Sequence, residues 1–205
     1  RPPGSLDALH DQYARLCGRP FTPAPFRECV LPDGSGFQAT SAVEHGAFAV
    51  LTRPRGRRGG LDALVQGGAL PANAAELLSA CVRSRLPVLV VGLAGAPVAP
   101  LLAALLGATT GPTAFVRGLP VPSLLPRGCT AFDAGHGSHT MAAATRLALA
   151  SAAPWLAIDE PEPEALDECA WAIPTGQGVL VGLRATSFTH ACQRAAVDAG
   201  CCLPQ

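Results

Sequence analysis

Residues Val88–Leu106 read VLVVGLAGAPVAPLLAALL. The run starts as a buried-type strand over Val88–Val91, passes through small residues from Gly92 to Pro97, and continues as a leucine-rich helix. Strand, small-residue loop and helix is the order of a phosphate-binding P-loop. The working motif is G-x-x-x-x-G-K-[ST]: backbone N–H groups cradle phosphate, the Lys reaches the β- and γ-phosphates, and the Ser/Thr holds magnesium. In that register Gly92 and Gly95 are kept and Ala96 follows, but Pro97 replaces the last glycine, Val98 the lysine and Ala99 the hydroxyl residue.

These replacements remove charge while keeping the frame. Phosphoryl transfer relies on positioning and neutralising charge, and Val98 does neither. A charge-assisted bond to phosphate contributes roughly 1.5–3 kcal/mol. Pro97 has no N–H to offer the cradle, and its fixed φ resists the turn a glycine would make. The helix start after Pro97 still presents a partial positive end. Weak anion or nucleotide contact at Gly95 and Ala96 is therefore the most the frame retains, and no cofactor or metal is expected.

Downstream of Gly60 strand and helix patterns alternate. Helices are predicted over 61–66, 73–85, 98–107, 139–152, 163–171 and 187–199, and strands over 88–91, 113–116, 130–132, 155–158 and 178–183. Alternation of this kind implies an α/β fold with a parallel sheet covered by helices on both faces. Upstream, 5–17 has an amphipathic helix pattern capped by Ser5. Residues 26–52 read as a three-strand β meander with a turn at Asp33–Gly34. RPRGRRGG at 53–60 is a basic, glycine-rich linker. The predicted organisation is a partial α+β N-terminal domain with linker over 1–57 and an α/β domain over 58–205.

Composition narrows the function classes. In 205 residues the formal net charge is zero and only 15% are charged, which argues against a nucleic-acid binder. The eight cysteines form no C-x-x-C pair and sit in apolar or helical contexts, as free thiols in a reducing compartment do. The long apolar run 86–106 is broken by Gly and Pro, against a membrane span.

Several segments, in order, resemble the type II/IV secretion ATPases, and among them the branch that drives tight-adherence (Flp-type) pilus assembly. They are Leu31-Pro32-Asp33-Gly34-Ser35; Leu61-Asp62-Ala63-Leu64-Val65 with Gly68 and Leu70; the helix and strand from Ala74 to Val90; Ile158-Asp159-Glu160 with Glu164-Ala165-Leu166; and Thr175-Gly176-Gln177-Gly178 with Arg184-Ala185-Thr186. The resemblance spans roughly residues 8–192. It implies a RecA-like P-loop NTPase domain hinged to an N-terminal domain, nucleotide between the two, and a hexameric cytoplasmic motor. It also implies that Asp159 and Glu160 correspond to a Walker B element and that Arg53 and Arg55 are linker arginines that reach nucleotide. The chain departs from the family pattern elsewhere. The acidic box expected near 116–119 reads VRGL, and the two family histidines correspond to Gln177 and Arg184.

Two other constellations have plainer readings. Cys129, Asp133, His136 and His139 include a His-x-x-His, but no second ligand pair stands at zinc-finger spacing, so a polar loop is expected rather than zinc. Asp159, Ser138 and His139 could be drawn as a hydrolase triad, yet no G-x-S-x-G elbow exists. The expectation is thus a pseudo-ATPase related to secretion motors. It would act as a structural or regulatory subunit, homo- or hetero-oligomeric. Its partner would be an active homologous ATPase or another motor component, in the cytoplasm or peripheral at the inner membrane, without nucleic acid and without membrane insertion. The alternatives are an active secretion ATPase with an atypical P-loop, or a small module using the relict cleft for another anion.

Overall fold

The computed structural model describes residues 8, 12, 15, 26–30, 35–43, 46–52, 59–93, 96, 98–118, 125–134 and 140–198. The chain divides into two compact units, Arg1–Gly56 with Pro120–Leu124, and Arg57–Leu119 with Leu125–Gln205.

In the first unit β1 (Phe26–Val30), β2 (Gly36–Val43) and β3 (Gly46–Thr52) form an antiparallel meander in the order β1-β2-β3. Phe26 pairs with Thr40 and Gly36 with Thr52, and the β2–β3 register shifts between Thr40 and Val43. Of the helix expected over 5–17, Ala8, Gln12 and Arg15 fall among the described residues and are helical. The turn at Asp33–Gly34 lies outside them.

The second unit is built on a five-stranded parallel sheet. Its strands are β4 (Val88–Gly92), β5 (Thr113–Arg117), β6 (Cys129–Asp133), β7 (Trp155–Asp159) and β8 (Gly178–Arg184), in the order β4-β8-β7-β5-β6. Six helices accompany it: α1 (Leu61–Gln66), α2 (Ala72–Arg83), α3 (Val98–Ala108), α4 (Met141–Ala150), α5 (Pro163–Ala172) and α6 (Phe188–Asp198). The strand predicted over 130–132 runs one residue further at each end. The helix predicted over 73–85 stops at Arg83, because Arg85 takes a left-handed φ of 53°.

The strands are apolar on both faces, as parallel strands between helices must be. Val90, Phe115, Trp155, Ala157 and Leu180 pack with α1, α2 and α3 on one face. Ala114, Val116, Leu156, Ile158, Val179 and Val181 pack with α4 and α5 on the other. Leu183, Leu89 and Val91 continue that second face under Ala191 of α6. The period-two alternation along each strand sorts these side chains into two cores. Helix starts obey local chemistry: Thr140 caps α4 by accepting from the N–H of Ala143, and Pro163 opens α5 where its missing N–H costs nothing. Among the described residues no helix is long and apolar enough to cross a membrane.

Candidate functional site: the carboxyl edge of the parallel sheet

Parallel strands deliver all their C-terminal ends to one edge, where open α/β sheets bind ligands. Here that edge carries Gly92 of β4, Arg184 of β8, Asp159 of β7 followed by Glu160, Arg117 of β5 and Asp133 of β6. The register aligns Gly92 with Arg184, Asp159 with Gly182, and Arg117 with both Asp159 and Asp133.

Val98 opens α3 directly after the loop and is 4% exposed. Its side chain lies against two glycines. A β-carbon on Gly92 would come within 2.4 Å of Val98 Cγ2, and one on Gly182 within 3.1 Å of Val98 Cγ1. The isopropyl group thus fills the groove between β4 and β8 and joins the core with Leu102 and Leu105. The backbone turns inward as well. Ala96 N–H donates to the Leu93 carbonyl and Val98 N–H to the Ala96 carbonyl, both at 2.9 Å. Two donors that a phosphate cradle would point outward are spent inside the loop. Ala99 is half-buried. Gly95 and Pro97, like Arg53 and Arg55, lie outside the described residues.

Asp159 and Glu160 stand together beside this loop. A β-carbon on Gly182 would meet Asp159 Oδ1 at 2.7 Å, so the carboxylate rests directly on the β8 backbone. Burial, then the neighbouring Glu160 charge, push the Asp159 carboxyl up to about 6, with Arg184 pulling the other way. Glu160 takes a left-handed φ of 53°, held by its N–H donating to the Gly182 carbonyl at 2.9 Å. Its Oε1 lies 2.9 Å from Arg184 Nε, near enough to pair charge but not aligned as a hydrogen bond. That pair is solvent-accessible, so its contribution is about 0–1 kcal/mol. On the far side of Asp159, Arg117 donates to both carboxylate oxygens of Asp133. Arg184, Glu160, Asp159, Arg117 and Asp133 thus interleave acidic and basic groups along the edge.

Other sequence candidates fall elsewhere. Gln177 precedes β8 at the opposite end of the sheet, donating to the Ala153 carbonyl at 2.7 Å. Cys129 and Asp133 open and close a five-residue strand, which separates their backbones by about 13 Å, too far to share an ion. His136, Ser138 and His139 lie outside the described residues. Among those described, no group of three or more His, Cys, Asp and Glu is placed to hold a metal. Cys81, Cys129, Cys169 and Cys192 are free thiols, and burial pushes Cys169 up to about 12. Sequence reasoning missed the pairing of Arg117 with Asp133 and the role of Gly182. Both arise from strand order, which no local pattern encodes.

No family model matches the sequence, and no curated protein matches it significantly. Solved structures do resemble it. The VirB11 ATPase of the Brucella suis type IV secretion system, solved with sulphate, is 18% identical with a TM-score of 0.53, over 93% of this chain and 67% of that one. The Legionella pneumophila ATPase DotB is 17% identical with a TM-score of 0.60, over 87% and 49%. The pilus retraction motor PilT, solved with ADP, is 18% identical with a TM-score of 0.63, over 84% and 50%. The chain spans about half to two thirds of the length of these proteins. Its fold is that of the RecA-like P-loop ATPases of secretion and pilus systems.

Proposed function

We propose that this chain is a catalytically silent relative of the secretion and pilus motor ATPases. It works as a structural or regulatory subunit through protein contacts, with an active homologous ATPase or another motor component as its partner. The tight-adherence branch is the best fit to its sequence phrases, and a cytoplasmic place, peripheral to the inner membrane at most, follows from that reading. The carrying observation is Val98: at the position of the phosphate-binding lysine stands an apolar side chain buried between Gly92 and Gly182. The inward N–H bonds of Ala96 and Val98 support the same reading, since they leave fewer donors for an anion.

The retained carboxylates Asp159 and Glu160 favour a second reading, in which nucleotide still binds at the carboxyl edge without a conventional lysine. Calorimetric titration with Mg-ATP and Mg-ADP, beside a phosphate-release assay, separates the two. The silent-subunit reading expects no heat at about millimolar nucleotide, a binding energy below roughly 4 kcal/mol, and no turnover. Micromolar binding would sink it. Turnover on top of binding would make the protein a motor with an unconventional phosphate site.

A further inference from the structure

We propose that the outer face of α4 and α5 docks a basic amphipathic helix of a partner protein, its apolar side on Trp171 and Leu147 and its cationic side on Asp167 and Glu164. The two helices lie side by side over one face of the parallel sheet, joined by Arg146 donating to Glu168. Leu147 follows Arg146 in α4, and Trp171 stands one turn beyond Glu168 in α5, so the exposed apolar side chains of the two helices gather in one stretch. Trp171 is 68% exposed, Leu147 62% and Ile173, at the end of α5, 44%. The chain's other tryptophan, Trp155, is fully buried. A single apolar side chain on a surface needs no explanation. An indole and a leucine left in water on adjacent helices form a patch of the kind that marks interfaces, where tryptophan is enriched.

Charge selects the occupant. α5 carries Glu164, Asp167 and Glu168 and no basic residue, and Glu162 stands just before it. Glu162 and Glu164 suit the positive end of the helix dipole. Asp167 and Glu168 lie past the first turn. Glu168 is paired with Arg146, whereas Asp167, four residues before Trp171, has no ion-pair partner among the described residues. Glu164, Glu168 and Trp171 fall at i, i+4 and i+7, one stripe along α5 that leads from carboxylates to indole. The formal net charge of the whole chain is zero, so this acidity is local to the face. A helix with lysine or arginine beside an apolar stripe complements it, and the furrow between two side-by-side helices suits such a helix laid along it. A second copy would bring the same carboxylates against themselves, and the carboxylates repel anionic lipid. The inference deepens the protein-contact reading above and rests on it. Its test uses no nucleotide, so each can fail without the other.

The test titrates the intact chain with a labelled synthetic helix of about eighteen leucines and lysines in amphipathic order, long enough to fold, and with its leucine–glutamate counterpart. With the lysine peptide, tryptophan emission is expected to shift to shorter wavelength as Trp171 leaves water. In Trp171→Ala, where Trp155 alone reports, that shift should vanish. Peptide anisotropy should show binding about tenfold weaker both in Trp171→Ala and in Glu164→Lys/Asp167→Lys. The charge-reversed variant should in turn prefer the glutamate peptide. That preference is read within one variant, so a change in its stability does not imitate it. Equal affinity for the lysine peptide in wild type and both variants, or no binding at about millimolar peptide, overturns the proposal. So does a wild-type dimer in sedimentation that Trp171→Ala dissolves, which assigns the face to a second copy. An emission shift with phosphatidylserine vesicles and none with the peptide assigns it to a membrane and overturns the proposal as well.

Discussion

Val98 Cγ2 occupies the space that a side chain on Gly92 would need: a β-carbon there would fall 2.4 Å from it. The end of β4 and the start of α3 are therefore locked by one apolar contact. A lysine at position 98 would have to fit the same space.

Val98→Lys is accordingly expected to destabilise the fold by about 3 kcal/mol or more, because a longer, charged side chain must replace an isopropyl group packed between two glycines. Val98→Ala leaves a smaller cavity and should cost about 2 kcal/mol. Denaturant unfolding of both variants checks the order. If Val98→Lys unfolds at the wild-type midpoint, the side chain reaches solvent and the loop is not sealed.

Gly182 is the second wall of the same contact. An alanine methyl there would press on Asp159 Oδ1 at 2.7 Å, Val98 Cγ1 at 3.1 Å and Leu102 Cδ2 at 3.3 Å. Overpacking of this kind costs about 1–3 kcal/mol, more than the roughly 0.5–1 kcal/mol gained by replacing a strand glycine. Gly182→Ala should lower the unfolding midpoint, and a midpoint at or above wild type would refute the crowding.

The raised carboxyl of Asp159 predicts a pH dependence of definite sign. The folded state keeps this proton up to about pH 6, while the unfolded chain releases it from its ordinary value of 3.8. Asp159 therefore favours the folded state most in acid, and that advantage is lost as pH rises through this window, up to about 3 kcal/mol in all. Asp159→Asn should raise the melting temperature at about pH 7.5, at roughly 2–4 °C per kcal/mol, and change it little at about pH 4. Melts of both proteins at the two pH values check this, and equal differences at both would remove Asp159 as the cause.

Two arginine–carboxylate pairs of different exposure, Arg117–Asp133 and Arg146–Glu168, should behave differently. The Arg117 side chain is 15% exposed and bonds both oxygens of Asp133, so Arg117→Met is expected to cost about 1–3 kcal/mol. The Arg146 side chain is 65% exposed beside Glu168, and Arg146→Met should stay within about 0.5 kcal/mol. Unfolding free energies of the two variants decide whether burial sets the difference.

Strand and helix periods, the small-residue loop after β4 and the acidic end of β7 are local patterns, so they could be read from the sequence alone. The alternation of strand and helix patterns likewise implied a parallel sheet between helices. That Pro97, Val98 and Ala99 depart from the P-loop pattern was equally plain as letters. Where the Val98 side chain goes was not. That Val98 turns into the core depends on the absence of side chains at Gly92 and Gly182, residues far apart in sequence and brought together by the β4–β8 pairing. The charge row from Arg184 to Asp133 has the same origin. Strand order β4-β8-β7-β5-β6 decides which strand ends become neighbours, and that order follows from non-local packing and crossover handedness rather than from any pattern within one element.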